Sequence, residues 1–480
     1  MLLDGDNVLA KNELEKILDT ALNEGGDFAD VFIEKRVTTS IGCEDNRVER
    51  INSGIDIGAG VRVVIGDSTS YAYTNDTSYH GLMQVANIAS RAAKSERKSI
   101  ETTITKKMPE FGFEIELSPD SVPVSDKVEQ VKRANSAARR VNDQVKQVSV
   151  GYGDVIQDVI IANSDGTFVE DRRIRTRFVV NAVASQSGIF QTGFESLGGA
   201  QGFEIFRESS VEDLAENAAN RALMLLDADP APAGKMAVVM AGEAGGTMVH
   251  EACGHGLEAD LVQKKLSVYA GKRGEQVADS MITVIDDATI KGKYGTFRYD
   301  DEGQYGKRKV LIDSGILKEY MYDIFTGKKE KKESTGNGRR ESFRDKPIPR
   351  MTNTYIASGK DDPKKIIQET KQGLLVKKMG GGQVNTTNGD FVFDVAEGYI
   401  IKDGVVVKPV RGATITGNGP TALNMVDRVG SDLGFAIGTC GKDGQGVPVS
   451  DAQPTIRIKE LIVGGTAQGA DQTIKKIKRL

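Results

Sequence analysis

The sequence predicts an α+β fold of two domains, with mixed and largely antiparallel sheets and flanking helices. Alternating apolar and polar residues between glycine turns indicate strands over much of the chain, whereas helical periodicity is confined to shorter segments. Strands and helices follow each other in mixed order, without the regular alternation of a doubly wound sheet. A chain of 480 residues is also too long for one ordinary hydrophobic core, which favours two domains.

Residues 1–228 are predicted to form an N-terminal α+β domain. The predicted elements, in chain order, are helices near 14–22, 82–92, 128–141 and Ser210–Leu226, a meander at 54–76 and further sheet over Val145–Thr192. The segment DADPAPAG at 227–234 has two prolines among small residues, which is typical of a linker.

Residues 229–480 are predicted to form the second α+β domain. Strands are expected at 236–241, 281–286, 308–312, 316–323, 390–401 and 404–410, and helices at Lys364–Leu375 and Pro420–Val429. The polar stretch 326–349 has little pattern. A loop of that length is either functional or disordered, and the sequence does not favour one of the two.

Composition excludes several classes of function. A net charge of -5 and an isoelectric point of about 5.6 give no basic surface for nucleic acid. The three cysteines are too few and too irregularly spaced for a secreted disulfide scaffold, and we expect no signal peptide. The chain contains no run of about eighteen apolar residues, which is the length needed to span a membrane. These observations predict a cytoplasmic protein without nucleic-acid or membrane partners.

One short segment concentrates residues with metal-binding chemistry. Two of the three histidines of the chain, His250 and His255, lie here, and Glu251 follows the first of them. Neutral imidazoles bind Zn²⁺ at about 2.0–2.1 Å, and catalytic zinc usually has three protein ligands and a water molecule. Glu251 is the predicted general base, because it can take a proton from that water. His80 is remote, and we expect a surface or capping role for it.

The spacing of the two histidines predicts an irregular helix. They lie five residues apart, which corresponds to about 140° on an ideal α-helix. Both can face one ion only if the helix widens or ends between them, and a single-turn π-bulge has this effect. Gly254, directly before His255, is expected to let the backbone leave helical geometry.

Spacing alone does not identify the third metal ligand. Cys253, Cys440 and the carboxylate of Glu258 are all possible ligands. Cys253 is expected to point into the core. Cys440 lies in the segment GTCGKDGQG, which is typical of an exposed glycine-rich turn, and a thiolate there is the favoured ligand. The alternative is that the histidines are structural and that Cys440 is a small buried hydrophobic residue.

Several further segments carry a resemblance to a known family. They are HEACGHGLEAD at 250–260, RMTNTYIASG at 350–359, GGGQVNTTNGDFVFDVAEGYII at 380–401, GATITGNGP at 412–420 and GTCGKDGQGVPVS at 438–450. In this order they closely resemble the TldD subfamily of the TldD/PmbA metallopeptidases. The segment GAGVRVVIGDSTSYAYTND in the first half is similar as well, so the resemblance covers nearly the whole chain.

The resemblance implies a function and a set of site residues. It implies His250, His255 and Cys440 as metal ligands, with Zn²⁺ expected and iron as the alternative, and Glu251 as the catalytic residue. Because this motif is intact, the chain is similar to the catalytic type. The resemblance also implies cleavage of unfolded or short peptides inside an enclosed chamber formed with a PmbA (TldE) type paralogue. A homodimer is the alternative, and in either case the N-terminal domain is expected to form the dimer and the chamber.

Two further groups of residues are predicted to contact the substrate. Arg350, Asn353 or Tyr355 could stabilise the oxyanion, and the alternative is that these residues hydrogen-bond a strand in place. Gly381 and Gly382 could let a substrate backbone approach a sheet edge, so that the peptide binds as an added strand.

Two other functions compete with the peptidase. A metal-dependent amidase or deformylase would use the same type of metal site. A non-catalytic assembly subunit of the same fold would need a broken metal motif, and the motif is intact.

Overall fold

The first half of the chain forms a single seven-stranded sheet in the computed structural model, which describes residues 9–93 and 101–465. Its strand order is β3-β2-β1-β5-β6-β4, and β7 pairs with the far end of β6. The strands are β1 (Phe28–Glu44), β2 (Arg47–Ile65), β3 (Ser68–Thr74), β4 (Thr105–Lys106), β5 (Val145–Asn163), β6 (Thr167–Gln186) and β7 (Ile189–Gly199).

Helices cover this sheet at two places. The helices of the first half are α1 (Lys11–Leu22), α2 (Tyr79–Ala92), α3 (Val124–Val141), α4 (Ile205–Glu208) and α5 (Val211–Asp227). The helices α1 and α2 pack on one end of the long strands, and α3 and α5 pack on the other end, each pair over its own apolar cluster. Helix α5 begins where the sequence predicts, because the side chain of Ser210 accepts a hydrogen bond from the amide of Asp213.

The second half contains shorter elements. Its strands are β8 (Asp229–Pro230), β9 (Gly234–Met240), β10 (Val284–Asp287), β11 (Arg308–Asp313), β12 (Ile316–Leu317), β13 (Gly338–Arg339), β14 (Ile348–Pro349), β15 (Asn353–Ile356), β16 (Gln372–Asn385), β17 (Asp390–Lys402), β18 (Val405–Arg411), β19 (Thr414–Asn418), β20 (Val426–Val429), β21 (Gly434–Lys442), β22 (Gln445–Gln453) and β23 (Ile456–Gly464). Its helices are α6 (Thr247–Val249), α7 (Ala259–Gln263), α8 (Ile324–Lys329), α9 (Pro363–Gln368) and α10 (Gly419–Asn424).

Two larger sheets organise the second half. A six-stranded sheet has the order β12-β11-β10-β15-β22-β21, so the hairpin of β21 and β22 forms one of its edges. In the other sheet β16 pairs with both β9 and β17, and the strands β16, β9, β23, β19 and β17 close into a ring. The main apolar core of this half lies between the two sheets and includes residues of the histidine motif. The fold is therefore α+β with mostly antiparallel pairing, as the sequence predicts.

The strand expected at 316–323 is only two residues long, Ile316–Leu317, and three further predicted elements of the second half differ from the structure. The helix expected at Lys364–Leu375 ends at Gln368, because residues 373–376 pair in parallel with β9 and bury three apolar side chains in succession. The helix expected at Pro420–Val429 ends at Asn424, since β20 pairs with β23. The predicted linker contains β8, which pairs with the end of β18. In each case a partner distant in the sequence decides the local structure.

The polar stretch 326–349 connects the two halves of the molecule. Phe343 is fully buried in an apolar cluster that also contains Phe32 from the first sheet and Tyr299 from the second half. The amide of Phe343 donates to Glu34 at 2.9 Å, and its carbonyl accepts from the hydroxyl of Tyr71 at 2.6 Å. The buried side chains of this stretch contact both halves and not a single apolar face, which explains why it shows no periodicity of its own.

Buried ion pairs also join the two halves. Arg62 of β2 is 1% exposed and contacts Asp30 of β1 and, at 2.6 Å, Glu302 of the second half. Arg173 of β6 pairs with Asp301 in the same way. Because breaking one partner of a buried pair leaves an uncompensated charge, these contacts fix how the halves meet. Among the described residues, no helix is long and apolar enough to cross a bilayer.

Candidate metal centre

The histidine motif forms an irregular helix, which confirms the prediction from its spacing. Helix α6 continues into a π-helical turn over His250–Gly254, and a 3₁₀ turn follows over His255–Leu257. The wider π-turn brings the two imidazoles to the same side of the backbone, with ring centroids 5.0 Å apart.

Gly254 has a different role from the one expected. Its backbone is right-handed helical, with φ -54° and ψ -55°, so the turn does not depend on the conformational freedom of glycine. A Cβ atom at this position would lie 2.1 Å from the sulfur of Met351. Glycine is therefore required because β15 and the segment before it pack directly against the motif.

Cys440 lies in strand β21 and not in an exposed turn. Its side chain is only 4% exposed, and the hairpin turn comes later, at Asp443 and Gly444, where both residues have positive φ. The expectation of an exposed turn was wrong because the strand continues through Gly441 in register with Gly446. This strand brings the thiol directly over the two imidazoles.

Three potential ligand atoms converge in this buried place. The sulfur of Cys440 lies 3.2 Å from Nε2 of His250 and 3.4 Å from Nε2 of His255. All three atoms lie within 4.8 Å of one another, and among the described residues this is the cluster of His, Cys and acidic groups suited to a metal. Typical bond lengths to tetrahedral zinc place nitrogen and sulfur ligands roughly 3.5 Å apart, so the residues present fit a divalent ion.

The charges of these groups favour a thiolate. Burial raises the pKa of the Cys440 thiol, but the imidazoles of His250 and His255 outweigh burial and lower that pKa to about 4. A thiolate is the form of cysteine that binds a metal. Burial lowers the pKa of His250, and the Cys440 thiolate outweighs it, so that the pKa of this imidazole is raised in the metal-free state.

Glu258 orients His255 and is not itself in the cluster. Its carboxylate lies 3.0 Å from Nδ1 of His255 and is completely buried. Burial raises the pKa of the Glu258 carboxyl, but the charges of Lys442 and His255 outweigh burial and lower that pKa to about 2. An ionised carboxylate on Nδ1 fixes the tautomer that leaves Nε2 free, which is a common arrangement behind metal-binding histidines.

The residues that contact the site from behind the histidines were not predicted from the sequence. Lys442 donates to Glu258 at 3.0 Å and to Asp260 at 2.7 Å. On the other arm of the hairpin, Asp451 lies 3.9 Å from Nδ1 of His250, a buried atom without a hydrogen-bond partner in the described structure. The spacing of three residues between His255 and Glu258 is a local signal that could have indicated their contact. No local sequence signal indicates Lys442 and Asp451, because the register of the β21–β22 hairpin determines where their side chains lie.

Glu251 lies next to this cluster, half-buried, on the same π-turn. No hydrogen bond to its carboxylate is formed within the described part of the chain. Burial raises the pKa of Asp451, and the charge of Glu251 adds to that increase, so the two carboxylates are neighbours. A half-buried carboxylate without a partner has its oxygen atoms available as hydrogen-bond acceptors.

The other two sequence candidates lie where they were expected. Cys253 is completely buried in the apolar core, and burial raises the pKa of its thiol to about 12. His80 is exposed near the start of α2, where its ring contacts Gln84, and Ser78 caps the helix instead.

The proposed oxyanion residues are instead occupied by structural contacts. Arg350 is fully buried and donates to the carbonyls of Cys440 and Gln445, so it holds the β21–β22 hairpin. The side-chain Nδ2 of Asn353 donates to the carbonyl of Asp287 at 2.6 Å, and its Oδ1 accepts from the backbone amide of Gly295. These contacts use both polar side-chain atoms of Asn353 but leave Nε of Arg350 without a hydrogen-bond partner in the described structure, and the oxyanion role of the two residues stays a prediction.

Tyr355 also packs away from the cluster. Its ring lies against Phe435 at a centroid distance of 6.1 Å, and its neighbours include Arg308 and Asp287. The ring is thus part of the six-stranded sheet, in which β15 pairs with β10 and β22. The structure therefore gives no support for an oxyanion role of Tyr355.

Gly381 and Gly382 lie on a strand segment with one open side. Strand β16 pairs with β9 only at residues 373–376, so beyond Val376 it has β17 as a neighbour on one side only. Both glycines are exposed, and a Cβ atom at Gly381 would have nothing within 4 Å. Both β16 and β17 contact the π-turn of the motif.

Comparisons with known proteins extend over the whole described fold. Family profiles of the PmbA/TldA metallopeptidases match residues 29–95 (domain 1), 117–226 (central domain) and 233–465 (C-terminal domain). A metalloprotease TldD homolog of Haemophilus influenzae is 36% identical over 95% of this chain and 97% of its own length. A zinc metalloprotease TldD homolog of Saccharolobus solfataricus is 26% identical over 94% of this chain and 99% of its own.

A solved structure shows the same fold at lower sequence similarity. The crystal structure of TldE from Thermococcus kodakarensis superposes with a TM-score of 0.77 at 17% identity, covering 94% of this chain and 100% of that one. The profile matches and the identity to the Haemophilus influenzae protein are sufficient to assign the family. The chain belongs to the TldD/PmbA metallopeptidase family.

Proposed function

We propose that this protein is a peptidase that hydrolyses unfolded or short peptides with one divalent ion held by His250, His255 and Cys440. The observation that carries the proposal is the convergence of two imidazoles and a thiol, 3.2 Å and 3.4 Å apart, beside the carboxylate of Glu251. Relatives of this chain are named metalloproteases.

We propose the following roles for the residues of the centre. When bound, the ion would supply Lewis-acid chemistry, which would lower the pKa of water and polarise a peptide carbonyl. Glu251 accepts the proton of the attacking water as general base. Glu258 keeps the Nδ1 proton on His255 and so presents Nε2. Zinc is the ion that we propose, because of the donor set and a relative named a zinc metalloprotease, and iron remains the alternative.

The substrate is proposed to bind as an extended strand along β16. The open side of β16 at Gly380–Gly382 offers main-chain groups, and β16 contacts the π-turn that carries His250 and Glu251. Main-chain hydrogen bonds hold a peptide without regard to its sequence. Exposed glycines without side chains let the peptide backbone come close.

We also propose an assembly and a location. Residues 1–228 would form the N-terminal domain that makes the dimer and its chamber, and residues 229–480 the catalytic domain. The likeness in fold to TldE of Thermococcus kodakarensis supports a paralogue of that type as the partner, and a homodimer is the alternative. The cysteines Cys43, Cys253 and Cys440 are all free, which fits the reducing cytoplasm.

The first prediction concerns the ligands of the ion. Cys440→Ala should sharply lower the metal content of the purified protein, because it removes one of three ligands. Cys253→Ala is the matched control and should leave the metal content unchanged, since this thiol lies in the core. Elemental analysis by plasma mass spectrometry measures both. If Cys253→Ala loses the metal and Cys440→Ala retains it, the ligand assignment is wrong.

The second prediction concerns the general base. Glu251→Gln should keep the fold and the metal but lower turnover of an unstructured peptide by about 10²–10⁴-fold, because an amide cannot accept the proton. Glu243→Gln removes an exposed carboxylate a few residues earlier and should leave turnover unchanged. Steady-state rates and metal content are measured together. Full activity of Glu251→Gln would exclude Glu251 from the mechanism.

The third prediction concerns the form of the substrate. One sequence is presented as a folded domain and as a truncated, unfolded peptide, and only the unfolded form should be cleaved efficiently. A strand edge cannot pair with a chain that is already paired. Equal rates for the two forms, while the folded form stays folded, would contradict strand addition.

A variant of the strand edge makes this third test sharper. Gly381→Val should raise KM for the unfolded peptide, because its side chain would crowd the approach of a peptide backbone to the open edge of β16, while its Cβ atom would have no atom of the protein within 4 Å. Gly112→Val adds the same side chain at a position equally free of neighbours in the first half, and it should leave KM unchanged.

A further inference from the structure

A cavity lies between the first sheet and the β21–β22 hairpin, apart from the candidate metal centre. Its volume is about 200 Å³. Five arginines line it together with apolar and polar groups of both halves, and these arginines are Arg36, Arg173, Arg175, Arg339 and Arg340. Thr439 of β21 also lines the cavity, whereas its neighbour Cys440 faces the histidines. Since successive side chains of a strand point to opposite faces, one strand separates the cavity from the metal centre.

Two of the five arginines are neutralised by carboxylates. Arg173 pairs with Asp171 at 3.0 Å and with Asp301. Arg340 lies 3.4 Å from the carboxylate of Asp30, and its amide donates to Asp301. These pairs belong to the contact between the halves and leave little negative charge for the other arginines.

Arg175 and Arg339 have no such partner. They are 8% and 4% exposed, and no carboxylate of the described residues lies within 4.0 Å of either guanidinium. Arg175 donates to the carbonyls of Tyr294 and Thr296, at 3.0 Å and 3.1 Å. Arg339 likewise donates only to backbone carbonyls, those of Met351 and Pro448. A guanidinium has five N–H donors, so each retains donors for a further acceptor.

The remaining acidic residues of the cavity do not pair with Arg175 or Arg339. The carboxylate of Asp300 accepts backbone amides of Glu302, Gln304 and Gly338. Glu341 is exposed and accepts from the amide of Gly446 at 2.6 Å. The cavity therefore carries an excess of buried positive charge.

Arg36 adds an unused donor to the same cavity. It is half-buried on β1, and its Nη1 donates to the carbonyl of Glu341 at 3.3 Å. Its Nε is buried and has no hydrogen-bond partner in the described structure. A buried donor without an acceptor is costly, so this atom is a second sign of a missing acceptor.

Buried cations without counter-ions are unfavourable, and an anion would relieve the cost. Burial, and after it the charge of Arg173, lowers the pKa of Arg175 to about 10. Burial and the charge of Arg175 lower the pKa of Arg339 to about 9. A planar carboxylate matches the fork of a guanidinium and accepts two hydrogen bonds from it.

We propose that this cavity binds the C-terminal carboxylate of a peptide. The proposal rests on the proposed peptidase function, in which each cleavage produces a new C-terminal carboxylate. Val155, Phe297 and Pro448 give the cavity apolar walls beside its arginines, which suit the side chain of a C-terminal residue. Free phosphate shares the oxyanion chemistry but makes no use of apolar walls.

The test is a binding measurement that needs no catalysis. Protein freed of metal by a chelator is titrated calorimetrically with an N-acetylated apolar tripeptide acid, with the same peptide as its C-terminal amide, and with inorganic phosphate. The acid should bind at least tenfold more tightly than the amide and than phosphate. Removal of the metal excludes direct coordination of the carboxylate to the ion, and His250→Ala tests for binding to the metal-free centre.

Variants assign the binding to the cavity. Arg36→Gln and Arg175→Gln should each weaken binding of the tripeptide acid at least tenfold, and Arg36→Lys, which keeps the charge, should weaken it less. Arg172→Gln removes an exposed arginine from the same strand as Arg175, outside the cavity, and should have no effect. Circular dichroism identifies variants that fail to fold. Arg36→Gln should disturb the fold least, because Arg36 is half-buried and donates one hydrogen bond, to the carbonyl of Glu341.

Each outcome decides the proposal. Equal binding of acid and amide, no binding of either, or binding of phosphate alone would overturn it. Binding of the acid that survives Arg36→Gln and Arg175→Gln but is lost in His250→Ala would place the carboxylate in the metal centre and also overturn it. If the protein shows no peptidase activity but binds the tripeptide acid in an arginine-dependent way, the proposed function is contradicted. The proposal that the cavity binds a carboxylate would still hold.

Discussion

The candidate centre depends on one constraint, the π-helical turn between His250 and His255. An ideal helix would separate these imidazoles by about 140°, and the extra residue of the π-turn removes that separation. Isolated π-turns are rare and must be stabilised by their surroundings. Here Met351 packs against Gly254 so closely that a side chain is excluded, and the thiol of Cys440 lies over both rings.

Charge pairing around the turn keeps its polar groups in place. Glu258, Lys442 and Asp260 form a buried chain of contacts behind His255. Arg350, whose Nε lies 4.0 Å from the carboxylate of Glu258, binds the carbonyl of Cys440, so the segment that carries the thiol cannot shift without breaking buried hydrogen bonds. The β21–β22 hairpin thus contributes both to the metal centre and, through Thr439, to the arginine cavity.

Much of this arrangement could be predicted from local sequence patterns. The fold class, the π-turn and the core position of Cys253 follow from spacing and periodicity, because these features depend on neighbouring residues. Local patterns could not predict that Cys440 is buried in a strand, which partners Arg350 and Asn353 bind, or that the predicted helix ends at Gln368. Each of them depends on a strand partner far away in the chain, which single-sequence patterns do not encode.

The metal's immediate environment tests the central claim most directly. X-ray absorption spectroscopy at the metal edge reports which elements bind the ion and at what distance. For the protein as purified, we expect two imidazole nitrogens at about 2.0–2.1 Å and one sulfur at about 2.3 Å. The sulfur contribution should disappear in Cys440→Ser, and that of the nitrogens should remain. A bound ion with no sulfur neighbour would contradict the account.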